Sequence, residues 1–392
     1  MSDTSRAPKS AEGVPGDDEL AATVALASLP EVGPKRLALL LALGPGRAWE
    51  AILDGDRDTV AKALGRHSRR LDDITRRWCA AARIVDPREV LDRHRSAGVT
   101  ILTPRSLAWP KRLSGDPDPP PVLFAKGDVS VLENRCAAVV GTRRCTPYGR
   151  GVARRLGSEL AEAGVTVVSG LARGIDTEAH RGVLGAGGRP AGVVGSGLDV
   201  PYPSANRDLW SRVGSEGVLL SEHPLGVGPR QWHFPARNRL IAGLAEVVVV
   251  VESHRHSGTH HTVDEALVRD RPVMAVPGPV TSPASDGTNA LLVECAVPAR
   301  DALDVLCLLG LGGGRSRCVE SSSVGRSSPG APKCPPDDAS SRSLLDALAS
   351  GPAPPERLAV LTGMSPSALA SCLERLVQSG AVAEEGGWYS LC

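Results

Sequence analysis

Between residues 136 and 294 the chain alternates short apolar, β-branched runs with segments of helical period, and this alternation leaves few folds open. The runs are CAAVVG, VTVVSG, PAGVVGSG, GVLLSE, EVVVVVE and RPVMAVPG. Each is too short and too evenly apolar for an amphipathic helix, so each reads as a strand buried on both faces. The helical period returns over 147–163, 174–186, 204–213, 237–245, 260–269 and 287–294. Strands joined through helices run parallel, and the expectation is an α/β fold: a Rossmann-like, doubly wound, mainly parallel sheet.

The flanks differ in composition. Residues 1–17 are polar and rich in Pro and Gly, which predicts a disordered tail. Residues 18–85 read as a small helical domain, SAM-like or helix-hairpin-helix-like, on the strength of LPEVGPKRLALLLALG. The α/β domain is expected over 86–310, opened by a short strand, GVTIL, and an extended Pro-rich lead-in, GDPDPPPVLFAKG. Residues 311–340 have the Gly/Ser/Pro content of a flexible linker. Over 341–392 three short helices precede a hairpin turning at Gly386-Gly387, the order of a winged helix.

Charge and cysteine content narrow the function. Lys and Arg number 45 against 44 Asp and Glu, so the chain has no basic coat and any anion site must be local. Nine cysteines form no zinc-ligand spacing, which fits reduced thiols and a cytoplasmic setting. No apolar run reaches membrane-spanning length, so no membrane insertion is expected. The dinucleotide fingerprint does not follow the first strand and a P-loop is absent, so neither nucleotide hydrolysis nor a cofactor is indicated.

In a doubly wound sheet, ligands sit beyond the carboxyl ends of the strands. The first strand there ends in Gly141, Thr142 and Arg143, and the second in Ser169 and Gly170 with Arg173 just beyond. The segment GPRQWHFPARNRLIAGL contains no carboxylate and carries Arg230, Arg237 and Arg239 beside Trp232 and Phe234. Guanidinium groups next to flat rings suit single-stranded nucleic acid, whose phosphates need charge and whose bases need a stacking face. The alternative is that Arg237, Asn238 and Arg239 cap a helix and that Phe234 is core.

A further stretch, ESHRHSGTHHTVDEAL, holds His254, His256, His260 and His261. His256 and His260 have the i, i+4 spacing of a metal pair, but Ser257 and Gly258 interrupt the helix between them, and no metal is expected. The Ser257-Gly258-Thr259 turn, placed after a strand and before a helix, is poised for an anion.

Read in order, VGTR, SGLARGIDTEAH, GSGLDVPYP, SEHPLG, FPARNRLIAGL and SGT through VMAVPG resemble the DNA-processing protein A family, also called DprA or Smf. The resemblance implies a single-stranded DNA-binding recombination mediator that is not an enzyme. It further implies dimerisation through the Rossmann-like domain and help in loading RecA, as in natural transformation. It carries DNA contacts onto Gly141, Thr142, Arg143, Ser169 and Gly170, onto Arg237, Asn238 and Arg239, and onto Ser257, Gly258 and Thr259. His260 and His261 depart from the family pattern, which has an apolar pair there, so the helix is either locally exposed or its pocket altered.

Two other classes stay open on sequence alone. The SGTHHTVDEA stretch faintly resembles the GGxGTxxE signature of nucleotide phosphoribohydrolases, but Thr262 stands where the glutamate belongs. A winged helix is also the mark of duplex-DNA regulators, though SPSALASCLERLVQSG carries only one Arg and one Glu.

Overall fold

A computed structural model describes residues 15–65, 69–255, 257–294, 296–312, 339–349, 353–379, 381–385 and 388–391. Most of the expected tail and linker, His256 and the Gly386-Gly387 turn lie outside the described residues. Two compact units divide the chain.

The first unit opens with helices α1 (Asp17–Ala27), α2 (Pro34–Leu41), α3 (Pro45–Leu53), α4 (Arg57–Leu64), α5 (Arg69–Ala82) and α6 (Pro87–Ser96). Proline stands in the first turn of α2, α3 and α6, where its missing N–H costs nothing and its fixed φ starts the helix. Leu26, Leu40, Ile52 and Trp78 are fully buried between these helices. The Trp78 indole donates to Pro30 O at 2.7 Å, so its polar edge is satisfied. This core continues through Val99 and Phe124 to Leu209, Trp210 and Leu219 of the α/β segment.

The sheet has nine strands: β1 (Val99–Leu102), β2 (Leu123–Gly127), β3 (Cys136–Val140), β4 (Thr166–Ser169), β5 (Ala191–Val194), β6 (Val218–Ser221), β7 (Val247–Val250), β8 (Val273–Ala275) and β9 (Val297–Pro298). Their order is β1-β2-β6-β5-β4-β3-β7-β8-β9. From β6 to β9 all neighbours are parallel, and only β2 runs against the rest, so β1, antiparallel to β2, points the same way as β6. The Pro-rich lead-in thus delivers more than an extended connection, since β2 after it enters the sheet between β1 and β6.

Helices α7 (Pro147–Glu162), α8 (Ile175–Gly185), α9 (Arg207–Glu216), α10 (His233–Leu244), α11 (Thr259–Val268), α12 (Asp286–Val293) and α13 (Ala302–Leu308) cover the faces. Side chains alternate along each strand: Ala138, Val140, Val248 and Val250 pack with Leu240 and Val263, while Ala137, Val139, Val247 and Val249 pack with Leu156 and Val183. The expected α/β class and parallel sheet are present. Helix α10 begins four residues before the expected start at 237, because Pro235 falls in its first turn, where proline is tolerated.

The chain steps outward from β3 through β4, β5 and β6, then returns to the opposite side of β3 as β7. The carboxyl ends of β3 and β7 therefore flank a topological switch point, the place where such sheets leave a crevice.

The second unit comprises α14 (Ala339–Ala349), α15 (Pro355–Thr362), α16 (Pro366–Gln378) and an antiparallel pair, β10 (Val382–Glu385) with β11 (Trp388–Leu391). Leu344, Leu358, Leu373, Leu376 and Val382 form its core. Among the described residues no helix is long and apolar enough to cross a membrane.

Helices α7 and α8 touch through reciprocal glycines. A Cβ on Gly157 would overlap the Ala179 carbonyl, and one on Gly182 would overlap that of Arg154. Backbone cannot yield as a side chain can, so Gly182→Ala should lower the unfolding free energy by roughly 1–3 kcal/mol, measured by urea denaturation.

Candidate nucleic-acid interface

The crevice at the switch point is a cavity of about 740 Å³. One wall is the loop after β3, Gly141 to Arg144; the others are the first turns of α10 and α11. The loop is fixed from below. A Cβ on Gly141 would lie 2.8 Å from Glu252 O, and Thr142 N donates to that same oxygen at 2.8 Å. The Glu252 carboxylate is itself occupied, accepting from Thr146 N at 2.9 Å and Thr146 Oγ1 at 2.5 Å, where Thr146 caps α7.

Electrostatics favour an anion. The N-cap residues of α10 and α11, Trp232 and Gly258, offer no side-chain cap and neither helix has a carboxylate in its first turn, so the positive ends of both helices meet the cavity with no negative charge of their own against them. Asp176 is the one carboxylate among the described lining residues, and it accepts from Gly170 N at 3.1 Å and Ala172 N at 3.3 Å. Burial pushes the Asp176 carboxyl up, opposed by Arg237 and these backbone donors. Arg237 lies under the floor, donating from Nη1 to Gly170 O at 2.7 Å and to Val193 O. Burial pulls its guanidinium down to about 10.

Above this floor the chemistry is aromatic and cationic. The Arg143 guanidinium stands 5.3 Å from the centre of the Phe234 ring. Tyr202 packs against that ring, with centroids 5.3 Å apart, and remains 44% exposed. A flat face with a cation on it can take a base and its phosphate together.

Of the residues singled out in the sequence, Gly141, Thr142 and Arg143, then Phe234, Arg237 and Asn238, then Ser257, Gly258 and Thr259 line this cavity. Four candidate residues are placed differently. Ser169 is fully buried and donates to Val139 O at 2.7 Å, tying β4 to β3. The Gly170 N–H is consumed by Asp176. Arg173 is exposed and stands outside the lining. Arg239 is buried against Glu222 and also holds Asp118, so its positive charge is spent inside the fold. Burial pushes the Glu222 carboxyl up to about 7, with Arg239 pulling the other way.

The histidines separate as well. His254 and His261 line the cavity, whereas His260 does not, and its Nε2 is buried without a partner. Helix α11 packs through Thr259, Thr262, Val263 and Ala266, and His261 is exposed. Local exposure is therefore how the helix accommodates this imidazole. Among the described residues no group of three or more His, Cys, Asp or Glu could hold a metal. Tyr202 and Arg144 are lining residues absent from the sequence-based set; the GSGLDVPYP turn after β5 was the only signal for the tyrosine.

A family model described as DNA recombination-mediator protein A matches residues 100–310, more than half of the chain. The chain belongs to this family. A DNA processing protein DprA of Bacillus subtilis is 40% identical over 217 residues, 55% of this chain and 73% of the relative. One from Streptococcus pneumoniae is 41% identical over 198 residues, 50% of this chain and 70% of the relative. The X-ray structure of DNA processing protein A from Streptococcus pneumoniae superposes with a TM-score of 0.61 at 32% identity, over 75% of this chain and 98% of that one. A DNA recombination-mediator role follows from membership in the DprA family.

The two arginine classes should separate in a stability measurement. Arg239→Met strands the buried Glu222 and should lower the unfolding free energy by about 3 kcal/mol. Arg143→Ala should leave it within about 0.5 kcal/mol.

Proposed function

We propose that this chain binds single-stranded DNA in the switch-point cavity and there performs its recombination-mediator role, helping RecA onto the strand as in natural transformation. The observation that carries the reading is the Arg143 guanidinium on the face of Phe234, beside two helix N-termini whose first turns carry no carboxylate. Duplex DNA hides its base faces, whereas a single strand offers both base and phosphate to such a site.

In this reading Gly141, Thr142, Ser257, Gly258 and Thr259 present the phosphate-binding turns, Arg143 and Asn238 make side-chain contacts, and Phe234 stacks a base. Arg237 acts from beneath as a positioning residue. The protein is a cytoplasmic homodimer joined through its α/β domain, and it acts by binding, without catalysis; the cavity carboxylate Asp176 is tied to backbone donors. The domain limits are those of the sequence, 18–85, 86–310 and 341–392, with the last a winged helix. The order of α14, α15, α16 and the β10–β11 pair supports that assignment. Glu374 and Arg375 are the only charged residues of α16, which favours a protein partner over a phosphate track.

Fluorescence anisotropy with labelled single-stranded and duplex oligonucleotides over a salt series tests the proposal. Affinity should favour the single strand and fall as salt rises. Arg143→Ala and Phe234→Ala should each weaken it on the order of tenfold, whatever the sequence. Equal duplex affinity would point to a duplex-DNA regulator, and release of free base from a nucleoside monophosphate to an enzyme; either sinks the reading.

A further inference from the structure

Next to the switch-point cavity lies a second one of about 820 Å³, and the two share Pro229, Arg230 and Arg237 in their walls. Its sides are the turn between α1 and α2, the loop after β6 and the first turn of α10. The same α10 turn that offers Phe234 to the first cavity offers Trp232 and His233 to the second.

The chemistry of this second cavity differs from the first. Its acids are already engaged: Glu222 holds Arg239, and Glu31 accepts from Arg77 at 2.7 Å. Arg36 donates to the Glu31 carbonyl at 2.8 Å, which leaves Arg230, on the shared wall, as the cation without a carboxylate or carbonyl partner among those described. Three flat rings stand among its walls: His223, Trp232 and His233. His223 and His233 stack with centroids 3.9 Å apart, and Trp232 meets His233 edge-on at 5.8 Å. Burial draws both imidazoles toward the neutral form, His223 down to about 4. Trp232 is 64% exposed, whereas Trp49, Trp78, Trp109 and Trp210 are buried in the core. An indole left in solvent at a cavity mouth, with the Arg230 guanidinium 5.4 Å above it, is unexplained by packing.

We infer that this second cavity is a nucleobase subsite, in which exposed Trp232, backed by the stacked pair His223 and His233, takes a base of the strand whose phosphates occupy the first cavity. An exposed indole face suits a base better than a phosphate, and the cation is placed on the wall that the backbone must cross. The α1–α2 turn closes this cavity, so the N-terminal helices contribute shape around a base. The subsite rests on the single-strand reading given above.

The test compares labelled oligothymidylate with an abasic oligomer of the same length, binding to the full chain by anisotropy. The parent should prefer the thymidylate, and Trp232→Ala should reduce that preference about five- to tenfold while leaving the abasic affinity unchanged. Trp232→Phe should restore most of it. The subsite is overturned if Trp232→Ala leaves the preference intact, or if it weakens both oligomers equally. A parent chain that binds no single strand at all overturns the proposed function itself, and the subsite with it.

Discussion

A buried guanidinium organises the functional end of this sheet. Strands β4 and β5 finish in carbonyls of Gly170 and Val193 that would otherwise point into a dry interior, and Arg237 takes both. Its charge is opposed by Asp176, whose carboxylate gathers the Gly170 and Ala172 amides into the same knot. Removing the guanidinium would leave the Gly170 and Val193 carbonyls buried without that donor, a loss of about 1–3 kcal/mol. The knot also explains Gly170, because a Cβ there would run into the guanidinium. With the turn after β4 locked to α10, Phe234 and Asn238 are delivered to the cavity by rigid backbone.

The sheet was legible in the sequence because burial on both faces leaves only apolar side chains in the strands, and β3 to β8 carry no other kind except Thr166, Ser169 and Ser221. Strand β2 was not, since a run of prolines before it masks a segment whose partner, β6, lies far along the chain. Its pairing is a tertiary fact with no local signature. The site was legible as a set of turns, for the switch-point rule places function after strands. What the sequence could not separate was one arginine from another. Arg143, Arg237 and Arg239 are equal as letters, yet one is exposed on a ring, one is a floor and one is half of an internal ion pair.

The histidine-rich stretch shows the same limit in reverse. Four imidazoles within eight residues look like one cluster. In the fold, His254 and His261 meet the cavity while His260 turns away from it. Helical phase, which rotates each successive residue by about 100°, scatters neighbours in sequence to different surroundings. Conversely Tyr202 and Phe234, over thirty residues apart, become one surface.

The N-termini of α10 and α11 have a consequence for the chain as a whole. Both helix dipoles turn their positive ends toward one cavity, so an anion held between them would stabilise two helices in one event. A ligand that binds only the folded chain adds to apparent stability with the logarithm of its concentration. The lifetime of the protein in a cell would then follow the abundance of its ligand, with idle copies the first to unfold.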